Sequence, residues 1–203
     1  MHHLYEVGKE RKQTYEEMVE RVLDGVREGN NVCFVSYGHP GVFADPMHEA
    51  VRRARAEGYR ATMLPAISAE DCLFADLGVD PGRSGCQSFE ATDFLVYARK
   101  FDPRSALVLW QIGVIAELGF KEKFEAWSLA GLDALRDRLL EHYDGSHQVF
   151  IYDAAQYACC EPVIQPIELQ HVLEAKVGAL STLYVPPKPM TQPDMEMVRK
   201  LGL

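Results

Sequence analysis

One arginine and two tyrosines near the start of the chain have residue types and a spacing suited to proton transfer. Arg11 and Tyr15 are four residues apart, so a helix places them on one face, and Tyr5 lies just upstream. A guanidinium beside a phenol favours the phenolate, which can accept a proton. Taken alone, the pattern favours a structural interpretation instead, with Tyr15 in an apolar helix face and Arg11 as a solvated charge.

A glycine-rich turn, YGHPGVF at residues 37–43, is suited to ligand binding. Ligands in open α/β sheets bind beyond the carboxyl ends of the strands, and this turn follows a strand-like apolar run. Gly38 and Gly41 allow the backbone to approach a ligand closely, and Pro40 stiffens the loop. A tight strand-to-helix connection without a ligand is the alternative.

The sequence argues against several classes of function. The GxGxxG dinucleotide motif, the P-loop motif and the GxSxG nucleophile elbow are absent. The net charge of −9 and the shortage of basic runs argue against a nucleic-acid partner. No apolar stretch is long enough for a membrane span and the first residues do not resemble a signal peptide, so we expect a cytoplasmic protein without a membrane partner.

The cysteines and histidines give no support to a metal site. Five cysteines occur without CxxC spacing, which predicts buried free thiols rather than a disulfide framework or a zinc site. Seven histidines form no pair with metal-ligand spacing. We therefore expect no metal.

Hydrophobic periodicity predicts the elements that position the arginine, the tyrosines and the turn. Apolar residues at helical spacing predict helices over residues 14–27 and 45–57. In the second helix, Asp45 is expected to cap the first turn and Pro46 to occupy its first position.

A second strand-like run and a third helix follow. Residues 32–36 and 61–64 are short apolar runs that predict strands of a parallel sheet. The third helix opens at Ser68, where Asp71 completes a capping-box-like start, and ends at Gly78. The order of strand, turn and helix is typical of α/β proteins.

The second half of the chain again alternates strand-like and helix-like segments, which favours the α/β class. We predict strands at residues 106–111, 149–152 and 181–185, and helices at 126–142, 166–174 and the C-terminus. Residues 87–98 form an extended or mixed segment. A junction at Asp102-Pro103 would divide the chain into an N-terminal α/β domain over 1–102 and a C-terminal α/β domain over 103–203.

Five stretches of the sequence together resemble one family. They are YGHPGVF, LPAISAEDCLFADLGVDP, GCQSFEATDFL, LWQIG and STLYVPP, of which the first two are quite specific. From Tyr5 onward the chain resembles the tetrapyrrole methylases, and among them the borosin-type peptide backbone α-N-methyltransferases. The resemblance implies S-adenosylmethionine as methyl donor, a two-domain α/β fold with the cofactor in the cleft between domains, and a homodimer.

The resemblance also implies which residues contact the cofactor. They come from the glycine-rich turn, from the capped helix, and from strand ends in the second half of the chain. In chain order they are Tyr37, His39, Pro40, Val42, Phe43, Ser68, Ala69, Gln111, Tyr152, Ala154, Ser181 and Thr182.

In borosin-type enzymes an arginine and tyrosines near the first helix act on the amide that is methylated. The stretch YEVGKERKQTY matches that spacing through Tyr5, Arg11 and Tyr15. An amide nitrogen is a poor nucleophile until its proton is removed and charge grows on the carbonyl oxygen. The resemblance implies that Arg11 stabilises this imidate oxygen and that Tyr15 or Tyr5, as phenolate, takes the proton.

Three departures from the family pattern accompany the resemblance. The family's PGIS reads PAIS here, so Ala66 is expected to be strained if that glycine has positive φ. The family's first strand and its loop have no counterpart ahead of the first helix, which predicts a missing first strand, an exposed sheet edge and an incomplete pocket. The chain also stops where the catalytic domain normally ends, so a peptide substrate is expected from a separate chain.

These observations favour a methyltransferase that uses S-adenosylmethionine to methylate backbone amides of a precursor peptide supplied in trans. One alternative is a methylase of a tetrapyrrole or another small molecule, against which the pair of Arg11 and Tyr15 argues. A second alternative is a truncated, non-catalytic protein that binds a peptide or a partner subunit.

Overall fold

The described residues of the first of the two compact units into which the chain divides form three α-helices. The computed structural model describes residues 1–117, 129–157, 159–190 and 192–203. The first unit comprises Met1–Val79 and, among the later described residues, 116 and 117. Its elements are a short 3₁₀ helix, His2–Leu4, and the helices α1 (Arg11–Arg27), α2 (Asp45–Ala56) and α3 (Ala69–Leu77).

Helices α1 and α2 pack together through apolar side chains. Val19 and Leu23 of α1 are buried with Ala50 and Ala54 of α2. In both helices these residues are four positions apart, so each helix presents one apolar stripe to the other. Because alanine has no bulk beyond Cβ, the two helices can approach closely.

Charged residues pair across the outer sides of α1 and α2. Arg53 of α2 lies 2.5 Å from Glu16 and 2.8 Å from Glu20, both on α1, and 2.6 Å from Glu49 of its own helix. These pairs lie in solvent, where salt screens them and each adds little stability. The apolar stripe therefore carries most of the packing free energy of this helix pair.

Both helices begin close to the predicted positions. Helix α1 starts at Arg11, three residues before the predicted start at residue 14, so Arg11 and Tyr15 do belong to one helix. Helix α2 starts at Asp45, but the cap position belongs to Ala44 and no side chain caps the helix. The prediction of Asp45 as the cap is wrong, because Asp45 already lies inside the first turn.

Helix α3 begins with the predicted capping box. The Ser68 hydroxyl accepts a hydrogen bond from the Asp71 amide at 3.3 Å, and the Asp71 carboxylate accepts one from the Ser68 amide at 2.7 Å. The helix ends at Gly78, whose φ of 63° is in the left-handed region. Ala66 is not among the residues with positive φ, so the strain expected there is absent.

The strands predicted at residues 32–36 and 61–64 are wrong for this structure. Neither segment pairs in a β-ladder with any residue that the structure describes. Val35 is 78% exposed and Leu64 is 75% exposed, while Phe34 and Ala61 pack against the α1 and α2 core. Short apolar runs resemble buried strands, but a strand also requires a neighbouring backbone, which the sequence pattern does not reveal.

A five-stranded sheet forms the second unit, which comprises Asp80–Ile115 and the described residues from 129 onward. Its strands are β1 (Cys86–Glu90), β2 (Ala106–Trp110), β3 (Gln148–Asp153), β4 (Val163–Glu168) and β5 (Thr182–Val185). Its helices are α4 (Pro81–Ser84), α5 (Ala91–Val96), α6 (Leu129–Leu140) and α7 (Met195–Leu201), with short 3₁₀ helices at Ile112–Val114 and Leu169–Glu174.

The spatial order of the strands is β1-β2-β5-β3-β4. Strands β1 and β2 are parallel, and the other three pairs are antiparallel. The predicted α/β class is confirmed, although the sheet is mixed rather than parallel throughout. The core of this unit lies where buried residues of the sheet, Leu109, Ile151 and Leu183, meet Leu135 and Leu139 of α6.

Two predicted elements of this unit need comment. The predicted helix over 166–174 is wrong, because β4 pairs with β3 from Asp153 opposite Val163 to Gln148 opposite Glu168 and only a 3₁₀ helix follows it. Pro166 is tolerated because β4 is an edge strand. In the helix predicted over 126–142, α6 accounts for Leu129–Leu140, and residues 126–128 lie outside the described residues.

The border between the compact units falls after Val79, because β1 pairs with β2 and so joins the sheet. The domain junction predicted at Asp102-Pro103 stays a prediction. The five cysteines are free, but the prediction that they are buried is wrong, since Cys33, Cys159 and Cys160 are exposed. Within the described ranges, no helix combines the length and apolar character that crossing a bilayer requires.

Candidate functional site

The structure brings the three residues predicted to act on an amide into one neighbourhood of the first unit. Tyr5 follows the first 3₁₀ helix, Arg11 begins α1 and Tyr15 lies one turn later. Tyr15 is within electrostatic reach of both Tyr5 and Arg11. Tyr37, predicted to contact the cofactor, and Asp45, predicted as a cap, belong to the same neighbourhood.

Burial sets the protonation of the two phenols. It raises the pKa of Tyr5 and of Tyr15 above the ordinary value of 10.0, because a phenolate loses water contacts there. The positive charge of Arg11 acts in the opposite direction on both pKa values, whereas Asp45 raises the pKa of Tyr15 further. Both tyrosines are therefore proton donors at neutral pH, and the phenolate is a minor form.

Arg11 is an exposed arginine that no carboxylate of the described residues holds. Within the described part of the chain, its guanidinium forms no hydrogen bond or ion pair, whereas Arg53 and Arg27 are each held by several carboxylates. An open pocket of about 430 Å³ in this unit is lined by Arg11, Tyr15 and Asp45, among others. Arg11 thus places a cation at the pocket wall, and its N–H groups can donate hydrogen bonds to an oxygen atom of a ligand.

The glycine-rich turn is held by two histidines. The Gly41 amide donates to His39 Nδ1 at 2.9 Å, and His48 Nε2 lies 2.9 Å from the Gly41 carbonyl oxygen. A Cβ at Gly41 would lie 2.9 Å from Met63 Sδ and 3.3 Å from each histidine ring, so only glycine fits without a shift. The close packing on one side of the turn therefore explains Gly41.

The other predicted cofactor residues of the turn lie on its outer side. Tyr37 is 97% exposed and Phe43 is 52% exposed, with Val42 also exposed and Pro40 half-buried. Phe43 adopts a positive φ of 51°, which is unfavourable for a residue with a side chain. The turn thus presents apolar and aromatic surface in a conformation that costs backbone strain, and such strain often marks a functional segment.

Ser68 and Ala69 lie at the start of α3. Ser68 is buried, and its hydroxyl donates to Asp71 Oδ2 at 2.7 Å. The hydrogen bonds from Ser68 hold the pKa of the Asp71 carboxyl below its usual range. Ala69 is the first residue of the helix and is exposed. The buried hydroxyl and the exposed backbone therefore stand side by side at the helix N-terminus.

The predicted cofactor residues of the second unit gather at one end of the sheet. Gln111 directly follows β2 with a left-handed φ of 61°, and the next amide, that of Ile112, donates to the Ser181 carbonyl at 3.1 Å. Thr182 begins β5 opposite Tyr152 of β3. Ala154 follows the end of β3. Strand pairing alone therefore brings all five residues to this end of the sheet.

Two backbone segments approach each other unusually closely at this end of the sheet, and each has a glycine at the contact. A Cβ at Gly113 would lie 2.0 Å from the carbonyl oxygen of Gly178, an impossible separation. The Gly178 amide donates to the Ser181 hydroxyl at 2.7 Å. Any side chain at Gly113 would therefore displace the segment that holds Ser181.

Two carboxylates near these sites were missed by the sequence-based prediction of function. Asp45 was interpreted only as a helix cap, and Asp153, at the end of β3, was not interpreted at all. The position of Asp153 directly before Ala154 was the available signal. Among the described residues, no group of three or more His, Cys, Asp or Glu side chains is placed to hold a metal ion, and the predicted lack of a metal stays a prediction.

Comparison with known proteins identifies the family. The sequence profile of the Tetrapyrrole (Corrin/Porphyrin) Methylases matches residues 2–161. A solved uroporphyrin-III-C-methyltransferase from Thermus thermophilus shares the fold, with a TM-score of 0.59 and 20% identity over 84% of this chain and 67% of that chain.

Two curated relatives have names that join an enzyme with a peptide. A methyltransferase/ribosomally synthesized cyclic peptide gymnopeptides precursor of Gymnopus fusipes is 42% identical over all of this chain and 49% of that protein. A methyltransferase/ribosomally synthesized type I borosin cyclic peptide precursor of Coprinopsis marcescibilis is 45% identical over 91% of this chain and 48% of that protein. The chain spans about half the length of the curated relatives that it matches. The family predicted from the motifs is confirmed, and the chain belongs to the tetrapyrrole methylases.

Proposed function

We propose that this chain is an S-adenosylmethionine-dependent methyltransferase that methylates backbone amide nitrogens of a peptide. The observation that carries the proposal is the cluster of Tyr5, Arg11 and Tyr15, in which Arg11 and Tyr15 line one open pocket. Membership of a methylase family and the names of the curated relatives support it. The finer assignment, to the backbone amide, rests on the chemistry that this cluster can perform.

Arg11 and a tyrosine supply the two functions that an amide nucleophile needs. As the amide proton leaves, negative charge moves to the carbonyl oxygen, and the Arg11 guanidinium stabilises it. The phenolate of Tyr15 takes the proton, and Tyr5 is the alternative acceptor. The deprotonated nitrogen would then be the nucleophile for the methyl group that the bound cofactor supplies. Arg11 also acts before the transfer, since its charge lowers the pKa of Tyr15 against the effect of burial.

The residues predicted to hold the cofactor fit a molecule with a flat apolar base and several polar groups. When bound, S-adenosylmethionine would supply an electrophilic methyl group on its sulfonium; the electron pair of the broken carbon–sulfur bond would stay on sulfur. Among the described residues, four serine or threonine side chains are buried, and three of them are predicted cofactor residues: Ser68, Ser181 and Thr182. Exposed Tyr37 and Phe43 offer aromatic surface for the base.

The proposal includes a precursor peptide as substrate, supplied by a separate chain. In the names of the curated relatives, methyltransferase and cyclic peptide precursor belong to one protein. Supply in trans, a homodimer and a cytoplasmic location stay predictions for this chain. Methylation of a separately added peptide tests the supply in trans. Sedimentation of the purified protein tests the homodimer.

The test is methyl transfer to a synthetic peptide mixture, with S-adenosylmethionine carrying a labelled methyl group. We expect the label in N-methyl amino acids after complete acid hydrolysis of the peptides, because a backbone N-methyl group survives on the released α-amine. Label on side-chain atoms only would contradict the backbone mechanism. Label transferred to uroporphyrinogen but not to peptides would favour the small-molecule alternative.

A further inference from the structure

A carboxylate at one end of the sheet has no part in the chemistry described above. Asp153 is the last residue of β3. The register of β3 against β5 pairs Ile151 with Leu183, and two residues further along β3 the partner position is Ser181. Continued by one residue, this register places Asp153 beside Ser181, a predicted cofactor residue that directly precedes β5.

On its other side, Ser181 is next to the end of a third strand, β2. In the pairing of β2 with β5, Leu109 lies opposite Leu183, so the position opposite Ser181 is Gln111. Gln111 itself leaves the extended conformation, with a φ of 61°, and the amide after it donates to the Ser181 carbonyl at 3.1 Å, which keeps Gln111 close to Ser181. Gln111 just after β2, Ser181 just before β5 and Asp153 at the end of β3 thus lie next to one another at this end of the sheet.

One oxygen of Asp153 is buried without a donor. Its Oδ1 atom forms no hydrogen bond to any residue of the described ranges. Side chains alternate along a strand, so Asp153 shares a face with Ile151 and Val149, both of which belong to the apolar core. A buried acceptor that has lost water without gaining a donor is unfavourable, and a carboxylate more so. A bound molecule can supply the donor.

We propose that Asp153 accepts a hydrogen bond from a hydroxyl or ammonium group of the bound cofactor. The inference rests on the proposed function and adds a residue to the predicted set, which contains the neighbours Tyr152 and Ala154 but not Asp153. The strand register places the Asp153 backbone beside Ser181 and near Gln111, at the end of the sheet where the other predicted contacts gather. Ribose hydroxyls and the α-ammonium are both donors that a carboxylate binds through strong, charge-assisted hydrogen bonds.

Calorimetric titration of Asp153→Asn with S-adenosylhomocysteine tests the inference. The amide keeps the shape of the side chain but removes its charge, so the affinity is expected to fall about tenfold or more. The matched control is Glu168→Gln, the same chemical change at the far end of β4, where the side chain is exposed. The control is expected to bind with the affinity of the unsubstituted chain.

A second ligand identifies the donor. 5′-Methylthioadenosine keeps the ribose and the adenine but has no ammonium group. A loss of affinity for both ligands assigns Asp153 to a hydroxyl, and a loss confined to S-adenosylhomocysteine assigns it to the ammonium.

Other results would overturn the inference. Equal affinity of Asp153→Asn and the unsubstituted chain removes Asp153 from the site and leaves the methyltransferase proposal intact. If Asp153→Asn binds with equal affinity but the free protein has a lower melting temperature, the carboxylate stabilises the fold and does not bind the cofactor. Failure of the unsubstituted chain itself to bind S-adenosylhomocysteine contradicts the cofactor proposal and the inference with it.

Discussion

The side chain proposed to take the amide proton sits where burial keeps it protonated. Burial raises the pKa of Tyr15, the charges of Tyr5, Asp45 and Tyr37 raise it further, and Arg11 lowers it. A general base whose pKa lies well above the working pH acts through a small phenolate fraction. Activity must therefore depend on pH in a way that reports this tyrosine.

We predict that the rate of peptide methylation rises steadily with pH. The folded-state pKa of Tyr15 is raised above 10.0, so between about pH 7 and about pH 9 the phenolate fraction, and the rate with it, grows about tenfold per unit without a plateau. Tyr15→Phe removes the base and should lower the rate by about 10² to 10⁴-fold. The measurement is the initial rate of label transfer at saturating S-adenosylmethionine.

Two controls separate this role from damage to the fold. Tyr59→Phe makes the same change at a partly exposed tyrosine outside the cluster and should leave the rate unchanged. Tyr15→Phe should still bind S-adenosylhomocysteine with unchanged affinity. Full activity of Tyr15→Phe would transfer the role to Tyr5 or end the amide mechanism.

Local spacing in the sequence was enough to predict that Arg11 and Tyr15 lie together, but not that Asp45 joins them. Arg11 and Tyr15 share a helix face because they are four residues apart, and that follows from the sequence once the helix is known. The presence of Asp45 beside Tyr15 depends on how α2 packs on α1, which no local pattern contains. The capping pair of Ser68 and Asp71 was predictable because both partners lie within one helical turn.

At the scale of elements, predictions that local composition settles are correct, and the wrong ones depend on pairing between distant segments. Strand β2 was predicted because five consecutive residues are buried apolar residues. The segments at 32–36 and 61–64 have a similar composition but no ladder partner among the described residues. Residues 166–168 belong to β4 because β3 offers a backbone edge. Composition indicates burial, whereas pairing decides what is a strand.

The close backbone contact at the end of the sheet leads to a prediction about Gly113. In Gly113→Ala the new Cβ would meet the Gly178 carbonyl oxygen, so the segment leading to Ser181 must move. We expect a loss of about 1–3 kcal/mol in the free energy of unfolding, typical of overpacking. Affinity for S-adenosylhomocysteine should fall as well, because Ser181 is displaced. Chemical denaturation and calorimetry measure the two effects.

Gly178→Ala provides the comparison for Gly113→Ala. It adds a methyl group to the other partner of the same contact, but there the new Cβ meets only the Ser181 hydroxyl at 3.6 Å, an ordinary distance. We expect this variant to remain as stable as the unsubstituted chain. Equal stability of both variants would show that the Gly113 backbone relaxes freely, and the argument from close packing would fail.

At the scale of the whole molecule, two compact units carry the predicted cofactor residues in separate sets. The first unit holds those from Tyr37 to Ala69, and the second holds those from Gln111 to Thr182. The sequence predicted the α/β class and these two sets, the sets through family resemblance rather than through any physical pattern. It did not predict the border after Val79, because the pairing of β1 with β2 is a contact between distant residues.

The family resemblance implies that both sets contact one cofactor, and this expectation makes a prediction that involves the whole chain. Ser68→Ala in the first unit and Thr182→Val in the second each remove one buried hydroxyl. Each should weaken binding of S-adenosylhomocysteine about fivefold, the effect of one neutral hydrogen bond. Among the described residues, Thr14 is the one other buried serine or threonine; Thr14→Val removes its hydroxyl, which lies on α1 outside the predicted set, and should leave the affinity unchanged. An effect of Thr182→Val without an effect of Ser68→Ala would confine the cofactor to residues of the second unit.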